Sequence, residues 1–369
     1  MAEEKSWQPL ELVKVSADYL AGRQVPNPRL DAEVLLCEVM GLKRRVDLYA
    51  GFEREISGKE LASYRELIRR RAAREPVSRI LGRREFMGVG FSVTPDVLSP
   101  RPETELLVEA ALETLRPRKM REPEPEMEPP QEVTDENGGE MMPDDLEKLL
   151  DSYAEDVTDE GDLEKDAVIR VERAPARAAA KAKAAATGRK AARNVDSGPP
   201  ALVLDLGTGS GCIAVSVAAH LPAARVVAVD ASPKALAVAK KNAANAKVAE
   251  RVDFRQGDWF AGCRDGEVFD AILSNPPYLV EGDEGIWPEV AQYDPPAALY
   301  GGKDGLDCYR RIIPSAPERL APDGWLFLEV GEGQAGRVAD MLTRRGFRGT
   351  EIIKDYGGVE RVVKAMAPE

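Results

Sequence analysis

The chain of 369 residues is 43% hydrophobic, which supports buried cores and two folded units, and no apolar run approaches the roughly 20 residues that span a bilayer. Its net charge of −13 is concentrated: residues 121–166 carry −16 and residues 167–193 carry +7, so the remainder stands at −4 and lacks the basic surface of a general nucleic-acid binder. Cys37, Cys212, Cys263 and Cys308 form no CxxC pair, which predicts reduced thiols in a cytoplasmic protein, and the sole histidine, His220, excludes histidine triads and multi-histidine metal sites.

The first residues, Met1-Ala2-Glu3-Glu4-Lys5-Ser6-Trp7, lack the apolar stretch of a signal peptide. Residues 1–80 read as a helical bundle. Leu10, Leu12, Val13, Ala17 and Leu20 recur at helical spacing up to Gly22, and Asn27-Pro28 opens a second helix through Leu30, Val34, Leu35 and Val39 that stops at Gly41. Ser57 is the N-cap of a third helix with Leu61, Tyr64, Leu67 and Ile68 on one face, and Arg69-Arg70-Arg71 reads as its solvated end. Over residues 81–116 the period changes. Phe86 and Phe91 flank Gly88-Val89-Gly90 as a β-hairpin, and Pro100-Arg101-Pro102-Glu103-Thr104-Glu105 leads into a helix through Leu106, Val108 and Leu112. Pro102 suits the first turn of that helix, and Glu103 and Glu105 suit its positive end.

Residues 117–199 read as a disordered insert, acidic and then rich in Ala, Lys and Arg, because low hydrophobicity with segregated charge cannot offset chain entropy. From 200 to 369 strands alternate with helices: Ala201–Leu206, Arg225–Asp230, Arg251–Gln256, Phe269–Ser274 and Trp325–Val330, with helices such as Cys212–His220 between them. That order predicts an α/β fold with a parallel sheet covered on both faces. Glu351–Lys354 and Arg361–Lys364 form a closing hairpin that adds an antiparallel strand, for seven strands in all.

The first of these strands runs through Asp205 into Gly207-Thr208-Gly209-Ser210-Gly211. A dinucleotide fingerprint needs glycine or alanine at the sixth position, and Cys212 stands there. The G-x-G-x-G led by Asp205 resembles instead motif I of S-adenosylmethionine (SAM)-dependent methyltransferases. Asp230 closes the next strand, where a carboxylate can accept both ribose hydroxyls, and Asp258-Trp259 after the third can supply a polar edge and a ring face for adenine. Open α/β sheets bind ligands at the carboxyl ends of their strands, where all of these residues fall.

The fourth strand ends in Asn275-Pro276-Pro277-Tyr278. Each proline fixes φ, removes its own N–H and pushes the preceding residue towards extended geometry. The loop can therefore hold the Asn275 side chain and the Pro276 carbonyl as two fixed acceptors for the hydrogens of a planar –NH2, with Pro277 and Tyr278 walling the pocket. An amide nitrogen is a poor nucleophile because its lone pair is delocalised, so methyl transfer to it depends on positioning and electrostatics rather than on a dedicated base.

Beyond these motifs the chain resembles the PrmC/HemK family, the peptide-chain release factor glutamine N5-methyltransferases, over nearly all its length except the insert. The resemblance rests on Arg29-Leu30-Asp31-Ala32-Glu33, on Glu75-Pro76 through Phe91, on the string from Pro100 to Glu105, on the Asp205–Gly211 loop, and on Asp258-Trp259-Phe260 and Ser274–Tyr278. It continues through Ala298-Leu299-Tyr300-Gly301-Gly302, Asp304-Gly305-Leu306, Glu329-Val330-Gly331 and Lys354-Asp355. It implies a class I, Rossmann-like SAM-dependent methyltransferase domain that leaves S-adenosylhomocysteine as product. Gly207 to Gly211, Asp230, Asp258, Trp259 and Asn275 would bind SAM, and Asn275 to Tyr278 would hold the glutamine of the Gly-Gly-Gln tip of a bacterial class I release factor. The N-terminal bundle would dock that partner. A monomer without metal, membrane or direct nucleic-acid partner is expected.

Two departures stand out: Ser99 replaces the family's usual isoleucine, and the insert lengthens the connection between domains. The nearest alternative is the sister enzyme that methylates a glutamine of a ribosomal protein. An adenine-N6 nucleic-acid methyltransferase would need a basic recognition domain, and a mere SAM-binding scaffold would have no use for Asn275.

Overall fold

The computed structural model describes residues 7–115, 200–283 and 285–369. The expected disordered insert at 117–199 lies outside the described residues. Among those described, no helix is long and apolar enough to cross a membrane.

The N-terminal bundle consists of α1 (Pro9–Ala21), α2 (Pro28–Met40), α3 (Val46–Ala50), α4 (Gly58–Ala72) and α5 (Val77–Leu81). Local chemistry sets their limits. Pro9 and Pro28 occupy first-turn positions whose N–H would have no intrahelical partner, Gly41 ends α2 in the left-handed region, and Ser57 with Glu60 forms a reciprocal capping box at the start of α4. The apolar stripes meet around Leu20, Leu35, Leu36, Leu48 and Tyr64, and the buried Tyr64 hydroxyl donates to the Ala32 carbonyl at 3.1 Å. The five-residue helices α3 and α5 are too short to show a period and were not legible in the sequence. Arg69-Arg70-Arg71 corrects the reading of a solvated end. Arg69 is exposed, but Arg71 is buried and donates to Asp31 at 2.7 Å and to Glu289 at 3.1 Å.

The hairpin β1 (Arg83–Phe86) and β2 (Val89–Ser92) turns at Met87-Gly88, both with positive φ, as a type I′ turn requires. Phe86 and Phe91 stack edge to face beneath it. The next helix, α6 (Thr104–Leu115), begins two residues beyond Pro102, and Glu105 accepts from the Met87 backbone N–H at 2.7 Å instead of only lining the helix start.

The remaining strands, β3 (Leu202–Leu206), β4 (Arg225–Asp230), β5 (Val252–Gln256), β6 (Phe269–Ser274), β7 (Leu320–Glu329), β8 (Arg348–Lys354) and β9 (Glu360–Met366), form one sheet in the order β5-β4-β3-β6-β7-β9-β8. All neighbours up to β7 pair in parallel, and β9 is antiparallel to β7 and β8. This is the expected mostly parallel seven-stranded sheet with an antiparallel final strand. β7 starts five residues before the expected Trp325, with a register shift opposite Phe269–Ala271.

One face is covered by α6 and α7 (Cys212–His220), which bury Leu107, Ala111 and Val217 against the sheet. The other is covered by α10 (Asp307–Ser315) and α11 (Ala335–Arg344), through Tyr309, Ile312, Val338 and Leu342. Two further helices, α8 (Pro233–Asn245) and α9 (Pro288–Tyr293), lie at the sheet edge and after the proline loop. The chain leaves β3 towards β4 and later returns to β6 on β3's other side. The loops after β3 and β6 therefore open on a crevice at the switch point.

Ionic contacts join the bundle to the sheet. Asp294 accepts from Arg79 Nη2 at 2.9 Å and from Arg101 Nη2 at 2.6 Å, and Glu289 accepts from Arg71 and from Arg74 at 2.7 Å. Breaking a buried ion pair from one side strands the other charge, so Asp294→Ala, which isolates the buried Arg79, is expected to cost about 3 kcal/mol of stability in urea denaturation.

Candidate active site

Gly207, Gly209 and Gly211 all have positive φ, and at Gly211 a Cβ would come within 3.0 Å of the Ala239 Cβ, so only glycine fits where α7 packs on α8. The loop is tied to the end of β4: the N–H groups of Gly207 and Thr208 donate to the Val229 carbonyl at 2.9 and 3.0 Å. Gly209 N–H donates to Asp230 Oδ2 at 2.8 Å, and Ser232 N–H donates to Oδ1 at 2.8 Å. Each oxygen of Asp230 keeps a second lone pair for a hydroxyl donor.

Thr208 and Ser210 are buried, and the Thr208 hydroxyl donates inward to Asp205 Oδ2 at 2.5 Å. These two residues therefore present backbone rather than side chain to the crevice. Burial pushes the Asp205 carboxyl up to about 7, and its Oδ1 has no hydrogen-bond partner.

After β5, Trp259 has its indole 3.7 Å from where a Gly207 Cβ would stand, so the ring lies against the glycine loop. Asp258 Oδ2 accepts from Arg311 Nη2 at 2.5 Å, and the same guanidinium sits 5.9 Å from the Trp259 ring centre. Arg311 lies 53 residues downstream, and no local signal in the sequence pointed to it.

The Asn-Pro-Pro-Tyr loop begins where the Ser274 hydroxyl donates to the Leu206 carbonyl at 2.8 Å, locking the ends of β6 and β3 together. Asn275 Nδ2 donates to Thr104 Oγ1 at 3.0 Å. That bond leaves Asn275 Oδ1 as the acceptor available to the adjoining cavity of about 400 Å³, which Arg101, Asn275, Tyr278, Trp287, Leu299 and Arg361 help to line. Tyr278 is half-buried, its hydroxyl pushed well above the ordinary tyrosine value by desolvation.

The backbone of this loop is clamped from outside. A Cβ on Gly301 would fall 2.5 Å from the Pro277 carbonyl oxygen, and one on Gly305 would fall 2.3 Å from that of Tyr278. Gly301 and Gly305 thus let another backbone press on the proline loop. Gln334 Nε2 adds a bond to the Tyr278 carbonyl at 2.9 Å.

Behind Asn275 lies Glu329, at the end of β7 and wholly buried. Burial pushes its carboxyl up to about 7, and its Oε2 has no hydrogen-bond partner. Neither Thr104 nor Glu329 was distinguishable as a site residue in the sequence, since each sat within a longer string with no separable role. Asn242 was missed as well. It is buried in α8, accepts from Ser92 N–H at 2.8 Å and donates to the Ser210 carbonyl at 2.9 Å, joining the hairpin to the glycine loop. Among the described residues no group of His, Cys, Asp and Glu could hold a metal ion.

The residues present fit a nucleoside cofactor. Glycine backbone allows close approach, Asp230 retains acceptor capacity, and Trp259 offers a ring beside the loop. A doubly covered parallel sheet with this glycine loop and a rigid Asn-Pro-Pro-Tyr at its switch point defines a class I SAM-dependent methyltransferase. Residues 11–82 match the PrmC N-terminal domain family and residues 192–291 the methyltransferase small domain family. The chain is 38% identical to the release factor glutamine methyltransferase of Geobacter sulfurreducens, with 97% of this chain and 96% of that protein covered. It is 34% identical to the enzyme of that name from Moorella thermoacetica, with 95% of each covered. The chain belongs to the release factor glutamine methyltransferase family. Among solved structures, an RNA methyltransferase from Salinibacter ruber in complex with S-adenosylhomocysteine is 22% identical, with a TM-score of 0.30 over 46% of this chain and 82% of that one.

Because a bond to a charged acceptor contributes about 1.5–3 kcal/mol, Asp230→Ala is expected to weaken SAM binding by about tenfold or more in calorimetry, with the fold retained in circular dichroism.

Proposed function

We propose that this protein transfers the methyl group of SAM to the side-chain amide nitrogen, N5, of the glutamine in the Gly-Gly-Gln motif of class I peptide chain release factors. The observation that carries this reading is the orientation of Asn275: with Nδ2 engaged by Thr104, Oδ1 is left as the acceptor for the cavity that Asn275 helps to line, and on this reading the Pro276 carbonyl, next in the chain, is the second acceptor. Two acceptors on a proline-stiffened loop match the two hydrogens of a carboxamide. The names of the full-length relatives supply the release factor as substrate.

SAM supplies an electrophilic methyl group on a sulfonium. The chain's contribution is to hold the acceptor. Asn275 Oδ1 and the Pro276 carbonyl accept one N–H each, which orients the nitrogen and favours its pyramidal, nucleophilic form. Fixed acceptors cost no reorganisation as positive charge develops on that nitrogen. The methylated nitrogen is far more acidic than the amide, so its proton leaves without a dedicated base. Pro277 and Tyr278 wall the pocket and exclude water. The glycines of the loop with Asp230 and Trp259 hold the cofactor, and Asp258 steadies that wall through Arg311.

On this reading residues 1–80 dock the release factor, residues 81–116 link, and residues 200–369 catalyse. The bundle exposes Leu30, Val46, Tyr49 and Phe52 beside Arg29 and Arg45, an apolar and basic face suited to a protein partner. The enzyme works as a cytoplasmic monomer without membrane or nucleic-acid contacts, in keeping with a charge of −4 outside residues 121–193.

Asn275→Ala is expected to abolish methylation of a release factor, read by mass spectrometry of the Gly-Gly-Gln peptide, while calorimetry still shows SAM binding. Full activity in that variant sinks the acceptor role. Deleting residues 121–193, which fall between α6 and β3 in the sequence, is expected to leave the methylation rate unchanged. A folded but inactive deletion would give that segment a part in the reaction.

A further inference from the structure

The helix α9 (Pro288–Tyr293) has only six residues, and none of them is fully buried. An isolated helix of that length is unstable in water, so its place is set by what it touches rather than by its own hydrogen bonds. Its polar contacts converge on the C-terminal end of α4. Glu289 uses both carboxylate oxygens: Oε1 accepts from Arg71 Nη2 at 3.1 Å, and Oε2 accepts from Arg74 Nη2 at 2.7 Å. The Tyr293 hydroxyl donates to the Ala73 carbonyl at 3.1 Å. The two arginines are themselves held. Arg71 Nε donates to Asp31 at 2.7 Å, and Arg74, in the left-handed region two residues past α4, donates through Nη1 to the Gln24 carbonyl at 2.6 Å. A carboxylate gripped at both oxygens by charged donors is fixed in direction as well as in place, and so is the helix that bears it.

The residues on either side of Glu289's anchor point face the cavity. Val290 and Trp287, the residue immediately before the helix, both line the cavity that Asn275 lines. Trp287 is 59% exposed, a large ring left uncovered where the cavity meets solvent. Tryptophan supplies a broad flat contact area with only two side-chain torsions to fix. A glycine backbone, which has no Cβ, can lie directly against such a ring.

We propose that Trp287 and Val290 form the wall against which the glycine backbone leading to the reacting amide lies, and that Glu289, clamped by Arg71 and Arg74, is the positioning residue that holds them there. The wall's role rests on the carboxamide reading of the site given above; the clamp does not depend on it. The side chains of Arg71, Arg74 and Glu289 are 6%, 16% and 13% exposed, so water and salt compete weakly for their charges. A clamp that served stability alone would change the amount of folded enzyme and leave the affinity of the folded fraction for its substrate untouched. A clamp that places the wall changes KM.

The experiment measures methylation of a whole release factor and of a short peptide containing Gly-Gly-Gln by the full-length, SAM-loaded enzyme. It compares wild type, Glu289→Gln, Arg74→Met, the two combined, Trp287→Ala and Trp287→Phe. Glu289→Gln leaves Arg71 its bond to Asp31, so the fold is expected to survive, as circular dichroism will show. That variant is expected to raise KM about tenfold, equally on peptide and whole factor, with kcat and SAM affinity unchanged. Arg74→Met in the same background is expected to add less than about twofold, because both substitutions release one clamp. Trp287→Ala is expected to raise KM at least as much, and Trp287→Phe to restore most of the loss. A rise confined to the whole release factor would assign Glu289 to docking on the bundle and overturns the proposal. So does a fall in kcat at unchanged KM, or a wild-type KM in Trp287→Ala. The fluorescence anisotropy of Trp287, taken as the difference between wild type and Trp287→Phe, needs no turnover. It should fall in Glu289→Gln, and an unchanged value overturns the clamp. If wild type methylates neither peptide nor release factor, the substrate reading fails and the glycine contact falls with it, while the anisotropy still decides whether Glu289 holds Trp287.

Discussion

A single hydrogen bond, from the Asn275 amide to Thr104, joins the two halves of this site. Asn275 ends a strand in the middle of the sheet, whereas Thr104 opens the helix that precedes residues 116–199 in the chain, 171 residues away in sequence. The bond forms because both lie at the carboxyl edge of the parallel strands, where α6 packs across β6 and β7. The proline loop would be rigid without it but uncommitted in its hydrogen-bonding sense. With it, the acceptor face of a planar side chain is presented to a cavity large enough for a glutamine side chain.

The same logic of long-range polar pins holds the surrounding walls. Asn242 secures the β1–β2 hairpin to the glycine loop, Ser274 secures β6 to β3, and Asp294 with Glu289 secures the segment after the proline loop to four arginines. Buried charges of this kind are poor sources of net stability, because desolvation offsets most of their attraction. Their effect is on geometry. A partly satisfied buried pair tolerates one arrangement of its neighbours and penalises the others. The helical bundle is thereby fixed relative to the pocket mouth, since Arg71, Arg74 and Arg79 reach it from α4, its C-terminal end and α5.

Much of the architecture was legible because its determinants are local. The alternation of strand and helix after residue 200, the capping of α4 by Ser57, the stop at Gly41 and the glycine loop all depend on neighbours within a few positions. The misreadings share a different cause. Arg71 looked like part of a solvated cationic run, and its burial is decided by Asp31 and Glu289, residues 40 and 218 positions away. The Thr208 hydroxyl, within the glycine loop, is turned inward onto Asp205, a contact the loop's composition does not announce. Gly301 and Gly305 had no evident purpose until a second backbone was found against them.

By itself the sequence determined the fold class, the order of the strands along the chain and the chemical character of the two loops, since hydrophobic period, proline stiffness and glycine freedom act on the residues that carry them. It also carried the family, through motifs whose order could be read without coordinates. Only the tertiary structure decided which end of the Asn275 amide faces the cavity, which carboxylate oxygens are buried without partners, and which arginines serve as struts. Those outcomes depend on what packing brings within about 3 Å of an atom, and partners separated by a hundred or more residues leave no periodic trace in the chain.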